Sequence, residues 1–330
     1  MDRRRFLAAS AGAIASGMLA GCATRVFGDA ASAGAALDAV AFHKARRYAE
    51  TGFGSIAYVE RGSGPAALFL HGFPLNGFQW RGALDRLSPY RRCIAPDFLG
   101  MGYTQVADGQ SCAPEAQVDM LLALLDALSI SSVDVVANDS GGAIAQLLVA
   151  RHRDRVRTLL LTNCDEEHDC PPPALLPVIE LARQGRFVDE WLGQWHADTG
   201  LARSPEGIGG MCYADAAPAI DTYFAPLLST PRRKDNAHRY AVALERNALA
   251  GIGPALRRCK VPTRIVWGRG DAIFSAKSPR RLDHAFGHSR GVRFLEGSKL
   301  FWPEERPDII AEEAQRLWNA WVPANGRAWR

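Results

Sequence analysis

The chain has 330 residues, 48% of them hydrophobic, with 39 basic against 35 acidic side chains and a formal net charge of +4. That length and apolar content suit one large domain, or a domain with an insertion, and exclude a disordered or fibrous chain. No lysine/arginine block is interleaved with aromatics, so no nucleic-acid partner is expected.

The first residues read as targeting sequence. Arg3-Arg4-Arg5-Phe6-Leu7 is a twin-arginine pattern, followed by an apolar run over 7–20 without an acidic residue. The run is too short for a stable membrane span. Leu19-Ala20-Gly21-Cys22 looks like the lipobox of bacterial lipoproteins, in which the cysteine is acylated and becomes the new N-terminus. The alternative is a plain cleavable signal with a chance cysteine. The expectation is an exported, periplasmic, membrane-anchored lipoprotein: signal peptide 1–21, then a tether over 22–45 held to the membrane through Cys22.

Beyond the tether, β-rich apolar runs alternate with helical patterns. Residues 54–60 and 66–71 read as strands joined by the turn Gly62-Ser63-Gly64-Pro65, and 92–95 as a short strand ending at Pro96-Asp97. A helix is expected over 114–128, with Pro114 at its start. A strand follows at 133–137, interrupted in its apolar character only by Asp134. Then come a helix at 140–151, a strand at 156–162, further strands at 263–267 and 292–295, and a closing amphipathic helix at 307–321. Strands nearly continuous in Val, Ile and Leu, alternating with helices, argue a mostly parallel sheet covered on both faces. The stretch 165–256 breaks the rhythm with helical patterns and clusters of Trp, Tyr and Pro, and reads as an inserted helical lid. The core is then 46–164 together with 257–325.

Besides Cys22 the chain has Cys93, Cys112, Cys164, Cys170, Cys212 and Cys259. None forms a CxxC pair or a His/Cys cluster with zinc spacing, so no metal or cofactor is expected. Cys164 and Cys170 are close enough to pair. The alternative is buried free thiols.

Three motifs arrive in order, each after a strand: His71-Gly72-Phe73-Pro74, Pro96-Asp97-Phe98-Leu99-Gly100-Met101-Gly102-Tyr103, and Ala137-Asn138-Asp139-Ser140-Gly141-Gly142-Ala143-Ile144-Ala145. With them the chain over about 50–320 resembles the α/β-hydrolase fold superfamily, and most of all its aspartate-nucleophile branch, the haloalkane dehalogenases and epoxide hydrolases. The resemblance implies an α/β-hydrolase fold: a mostly parallel eight-stranded sheet flanked by helices, with an inserted helical lid. A sharp strand-to-helix turn needs small neighbours around the residue it presents. Ala137 and Gly141 supply them when Asp139 stands at the nucleophile position. A competing register with Ser140 there would put Asn138 at the small position. A carboxylate that merely caps the following helix is the bland reading of Asp139. Backbone N–H groups of Phe73 and Ser140 would form the oxyanion hole. His71 and Asp97 read as residues that hold loop shape.

Asp271, in Gly268-Arg269-Gly270-Asp271 after a strand, is the expected acid; a second acid position lies in Asn163-Cys164-Asp165-Glu166-Glu167. The turn-forming role of an aspartate is the alternative for Asp271. The histidine is missing from its expected turn. Residues 296–307 read Glu-Gly-Ser-Lys-Leu-Phe-Trp-Pro-Glu-Glu-Arg-Pro, which places Leu300, or with a slip Lys299, where the base should stand. His168 is the first candidate to replace it, His238 the next; His196, His284 and His288 read as lid packing or surface. Dehalogenation asks for halide-binding donors, commonly a tryptophan after the nucleophile, where Ser140 stands. Epoxide opening asks for lid tyrosines, for which Tyr213, Tyr223 and Tyr240 are available. Trp191, Trp195 and Trp302 could line an apolar pocket. The expectation is a hydrolase acting through Asp139 on a small apolar molecule, an epoxide or haloalkane. The alternatives are a hydrolase-fold binding protein without turnover, or a lyase or isomerase with Asp139 as general base.

Overall fold

A computed structural model describes residues 37–212 and 217–319. Residues 1–21, expected as a signal peptide, and Cys22 and Tyr213 lie outside the described residues. Nine strands form one sheet. They are β1 (Arg46–Thr51), β2 (Gly54–Arg61), β3 (Ala66–Leu70), β4 (Arg92–Pro96), β5 (Gln105–Val106), β6 (Val133–Asp139), β7 (Val156–Cys164), β8 (Thr263–Gly268) and β9 (Ser289–Leu295). Eight run in the order β1-β2-β4-β3-β6-β7-β8-β9, and the two-residue β5 pairs with β2. From β4 to β9 every neighbouring pair is parallel; the pairings of β2 with β1, β4 and β5 are antiparallel. Parallel strands covered on both faces must be apolar throughout. The two central ones, β3 and β6, accordingly have every residue buried.

The polar exception in β6 is compensated. Asp134 accepts from Arg91 Nε at 3.0 Å, Arg157 Nη2 at 2.7 Å and Thr158 Oγ1 at 2.9 Å. A buried carboxylate survives only with such partners.

Part of the expected tether belongs to the fold. Residues 39–45 form a helix, capped by Asp38, whose Oδ1 accepts from Ala41 N. Phe42 is buried with its ring edge-on to Phe78, centroids 5.2 Å apart. Leu37 is buried as well and donates its N–H to Asp85 Oδ2 at 2.8 Å, so two buried side chains, a cap and one long-range hydrogen bond dock a short segment that composition alone reads as linker. The edge strand β1, with its alternating polar sequence, was not foreseen either.

Between β7 and β8 the chain builds helices. The longest are Ala217–Leu228 and Pro231–Ala243. Among the described residues the only strand-like pairing there is the isolated bridge Glu166–Asp169. Aromatic side chains knit this layer: Phe187 to Trp191, Trp191 to Trp195 and Trp195 to Phe224 lie at centroid distances of 6.1, 5.8 and 6.0 Å. Phe73, from the loop after β3, stacks on both Phe187 and Tyr240. The lid is therefore pinned directly above the carboxyl ends of β3 and β6, where parallel sheets place ligands.

Candidate active site

Asp139 ends β6 and precedes the helix Ser140–Arg151. Its backbone stands at φ 55°, ψ −134°. A non-glycine residue held at positive φ is strained, and such strain persists only where the surroundings enforce it. Here they do. A Cβ on Gly141 would lie 2.5 Å from the His71 carbonyl oxygen, and one on Gly142 2.3 Å from Cys164 Cβ. The glycines let the new helix start against the sheet, and the bend residue is Asp139. Ser140 is the first residue of the helix, its hydroxyl 3.1 Å from the Tyr240 hydroxyl.

The Asp139 carboxyl is buried, and one oxygen is tied down. Oδ1 accepts from Phe73 N at 2.8 Å and from Ser140 N at 2.6 Å. The two backbone groups expected to form an oxyanion hole thus both point at Asp139 itself. Burial pushes the carboxyl up to about 6, against the pull of those N–H groups and the Ser140 hydroxyl. It is therefore mostly ionised at neutral pH. Capping and presentation to a cavity are both true of this side chain.

The loop after β3 is shaped by His71. The ring is fully buried; Nε2 accepts from Phe98 N at 3.1 Å, so Nδ1 carries the proton and donates to the Gly72 carbonyl at 2.9 Å. Burial lowers its pKa to about 4, which keeps it neutral. A Cβ at position 72 would sit 2.6 Å from Asp139 Cβ. Only glycine lets the loop approach the bend closely enough for Phe73 N to reach the carboxylate. Asp97 likewise holds loops together, accepting from Gly77 N and Tyr103 N, each at 2.8 Å.

Asp139 opens into a cavity of about 60 Å³ whose walls are almost entirely apolar, among them Phe73, Phe187, Trp191, Trp195 and Leu300. Two more polar residues line it, Ser140 and Asp165.

The alpha/beta hydrolase fold family model matches residues 65–301. The chain belongs to the α/β-hydrolase fold family. Haloalkane dehalogenase 2 of Mycobacterium bovis is 31% identical over 278 residues, 80% of this chain and 92% of the relative. The 2-hydroxy-6-oxo-2,4-heptadienoate hydrolase of Pseudomonas putida is 37% identical over 247 residues, 72% of this chain and 83% of the relative. Among solved structures, an α/β-hydrolase fold protein from Burkholderia ambifaria superposes with a TM-score of 0.68 at 23% identity, covering 82% of this chain and 97% of that one.

In this α/β hydrolase the acid of the sequence reading does not face a histidine. Asp271 Oδ2 accepts from Asn163 Nδ2 at 2.8 Å, and Oδ1 from Ile273 N at 2.8 Å. Asn163 is itself fixed: its Oδ1 accepts from Gly268 N at 2.7 Å and from the Trp302 indole at 3.0 Å. Burial raises Asp271 to about 7. Trp302 thus supports this network and does not line the cavity.

The histidine turn is filled with hydrocarbon. Leu300 lines the cavity, and its carbonyl accepts from Asn138 Nδ2 at 3.2 Å. Lys299 Nζ turns to the carbonyls of Gly209 and Cys212, 3.0 Å from each. His168 is not brought to Asp139, and this corrects the sequence reading. The bridge Glu166–Asp169 and the bond from His168 N to Glu166 Oε2 close a tight turn that leaves the imidazole exposed, beside a separate pocket with Arg281 and His284. His238 accepts from Val188 N at 3.1 Å and serves the lid. His196 pairs with Asp221. None of the 8 histidines lines the cavity.

Of the tyrosines, Tyr223 donates to Glu304 at 2.8 Å, outside the cavity lining, and Tyr240 is coupled to Ser140. Trp191 and Trp195 line the cavity as expected, and two finer features emerge only in the structure. The Trp195 indole Nε1 is buried without a hydrogen-bond partner among the described residues. Asp165, noticed only within a possible acid stretch, lines the same cavity as Asp139. The signal for Asp165 was its place directly after the strand beside the bend. Cys164 and Cys170 are both free thiols.

Proposed function

We propose that this chain is a hydrolase that attacks a small apolar electrophile, an epoxide or a carbon bearing a halogen, with the carboxylate of Asp139. The observation that carries the reading is the asymmetry of that carboxyl. With Oδ1 committed to Phe73 N and Ser140 N, Oδ2 is the oxygen left for attack from the bend into the cavity. Attack by Oδ2 makes an ester whose carbonyl oxygen is Oδ1, already between two donors. Water adding to that ester would place its oxyanion charge on the same two N–H groups.

The Trp195 indole supports departure of the leaving group. A buried donor without a partner is costly in the resting state and gains most when negative charge develops beside it. The apolar walls favour a small hydrophobic substrate. The same lining speaks against a lyase or isomerase, which would need further polar groups to hold an ionic intermediate.

Incubation with 1-bromohexane or styrene oxide, followed by intact-protein mass and peptide mapping, tests the reading. An alkyl group on Asp139, or water-derived oxygen entering its carboxyl during turnover, is the expected result. An unmodified Asp139 with no product from either probe overturns it. Export and anchoring through Cys22 are proposed alongside; metabolic incorporation of a labelled fatty acid at Cys22 tests them.

A further inference from the structure

An aspartate-ester enzyme needs a base for its second step, and no imidazole reaches this cavity. The sheet supplies a different group. β6 and β7 are parallel neighbours, and after a register shift between Asn138 and Asp139, Asp139 pairs with Cys164. Asp165 is the next residue, so the two carboxyl-bearing residues leave adjacent strands at the same edge, strands that run about 4.8 Å apart. Both line the one cavity. Asp165 is 7% exposed and is held from behind: its backbone carbonyl accepts from Gln146 Nε2 at 2.8 Å, and its carboxyl meets the Cys170 thiol.

The groups that face Asp165 are Asp139, Asp169, Cys164, Cys170 and Tyr240, and no salt bridge reaches it among the described residues. Burial, and then the charge of Asp139, hold its carboxyl well above the usual carboxylate range. Two carboxyls in one apolar cavity with no cation cannot both ionise, so one proton stays with the pair. The N–H groups of Phe73 and Ser140 favour the anion at Asp139; at Asp165 its own N–H and the Cys170 thiol do the same, but burial and the Asp139 charge outweigh them, so the proton stays on Asp165.

We propose that Asp165 is the acid–base partner of Asp139, standing in for the absent histidine, and that the substrate it serves is an epoxide. This rests on Asp139 being the nucleophile. When Asp139 Oδ2 attacks an epoxide carbon, the C–O bond breaks and the departing oxygen takes the proton of Asp165. The products of that step are a hydroxyalkyl ester and an Asp165 carboxylate. The carboxylate then takes a proton from water as the water oxygen adds to the ester carbonyl. Collapse of the tetrahedral adduct passes its hydroxyl proton to the departing alkoxide. A diol leaves, Asp139 is again a carboxylate and Asp165 again an acid.

The scheme separates the two electrophiles. A haloalkane expels halide, which takes no proton. Burial, the larger cause of its raised pKa, then keeps Asp165 neutral even without the Asp139 charge, no base is generated, and the alkyl ester persists. Ring opening arms the base; halide loss does not.

Wild type and Asp165→Asn are compared with styrene oxide and 1-bromohexane, reading diol formation, intact mass, thermal midpoint and the pH profile. Wild type is expected to form diol without accumulating adduct, and to retain the hexyl ester. Its diol formation falls at alkaline pH, where Asp165 loses its proton, while alkylation by 1-bromohexane has no such limb. The thermal midpoint shows whether Asp165→Asn is folded, and its Asp139 is expected still to be alkylated by 1-bromohexane, since halide departure takes no proton. Its diol formation drops by at least about a hundredfold. Diol formed by Asp165→Asn at the wild-type rate overturns the proposal and leaves Asp139 standing; loss of diol in Tyr240→Phe would then locate the acid at Tyr240. Hydrolysis of the hexyl ester by wild type as fast as that of the styrene oxide ester overturns it too. If Asp165→Asn fails to fold, Asp165→Glu replaces it, with retained diol formation expected and its complete loss counting against the proposal. If neither probe touches wild-type Asp139, the nucleophile and its partner fall together.

Discussion

Two turns at the same edge of the sheet have been treated in opposite ways. The turn after β6 keeps a strained aspartate at φ 55°, buried and gripped by two N–H groups. The turn after β9 presents Leu300, packed into the cavity wall, with Lys299 turned away to the lid carbonyls. The contrast teaches that an apolar side chain at one turn leaves the strain and burial of the other in place. Positive φ, a buried carboxylate and three close glycines all carry a cost in stability. That cost, carried beside an apolar turn, fits the proposed attack by Asp139 and the proposal that another residue serves the second step.

Substitutions at the two turns can break or sharpen that contrast. The largest effect is expected from Asp139→Ala, which removes the attacking oxygen: adduct formation with 1-bromohexane, followed by intact mass, should fall by more than about a thousandfold. Adduct appearing at the wild-type rate would place the chemistry elsewhere. Next in size is Leu300→His, which returns an imidazole to the apolar turn. Its hexyl ester should be released as hexanol at least about tenfold faster than the wild-type ester. An equally persistent ester in a folded variant would mean that the turn no longer aims its side chain at Asp139.

The pH dependence of the first step is smaller. Only the carboxylate attacks, and burial sets Asp139 near 6. Alkylation by 1-bromohexane should be level above about pH 7 and fall about tenfold per unit below 6. A flat profile down to pH 4 would show a carboxyl without the burial described.

The smallest effect is on stability. The folded-state pKa of Asp139 is raised from 3.8 to about 6, so the folded state holds a proton that the unfolded chain releases. The stability linked to this proton is complete below about pH 3.8 and is lost as pH rises through 6. In Asp139→Asn the amide oxygen keeps the two N–H bonds and no charge is buried. The variant should match wild type near pH 4 and exceed it above pH 6 by on the order of 3 kcal/mol at most, measured by denaturant titration at both pH values. Equal stability at pH 8 would mean the elbow accepts its charge without penalty.

Much of this was legible in the sequence because it is local. Strand runs rich in Val, Ile and Leu, the small residues around Asp139, the glycine beside Phe73 and the interrupted rhythm over 165–256 all express short-range sterics and periodicity. The absence of a histidine from the turn before Trp302 was also readable, since the flanking Pro-Glu-Glu-Arg-Pro fixes its register. The docked helix Ala39–Ala45 was not, because its place depends on Phe42 meeting Phe78 and Leu37 meeting Asp85, both in distant segments. His168 misled for a related reason: nearness in sequence to the site said nothing of the tight turn that faces it outward.

The sequence by itself determined the layered fold and which carboxylate sits at the strained bend, because both follow from patterns within a few residues. Only the tertiary structure decided which side chains share the cavity with it. Pairing of parallel strands brings Asp165 beside Asp139 across a whole intervening helix, and packing of the lid seats Trp195 above them. Such neighbours are set by register between strands and by burial, which no stretch of the chain encodes alone.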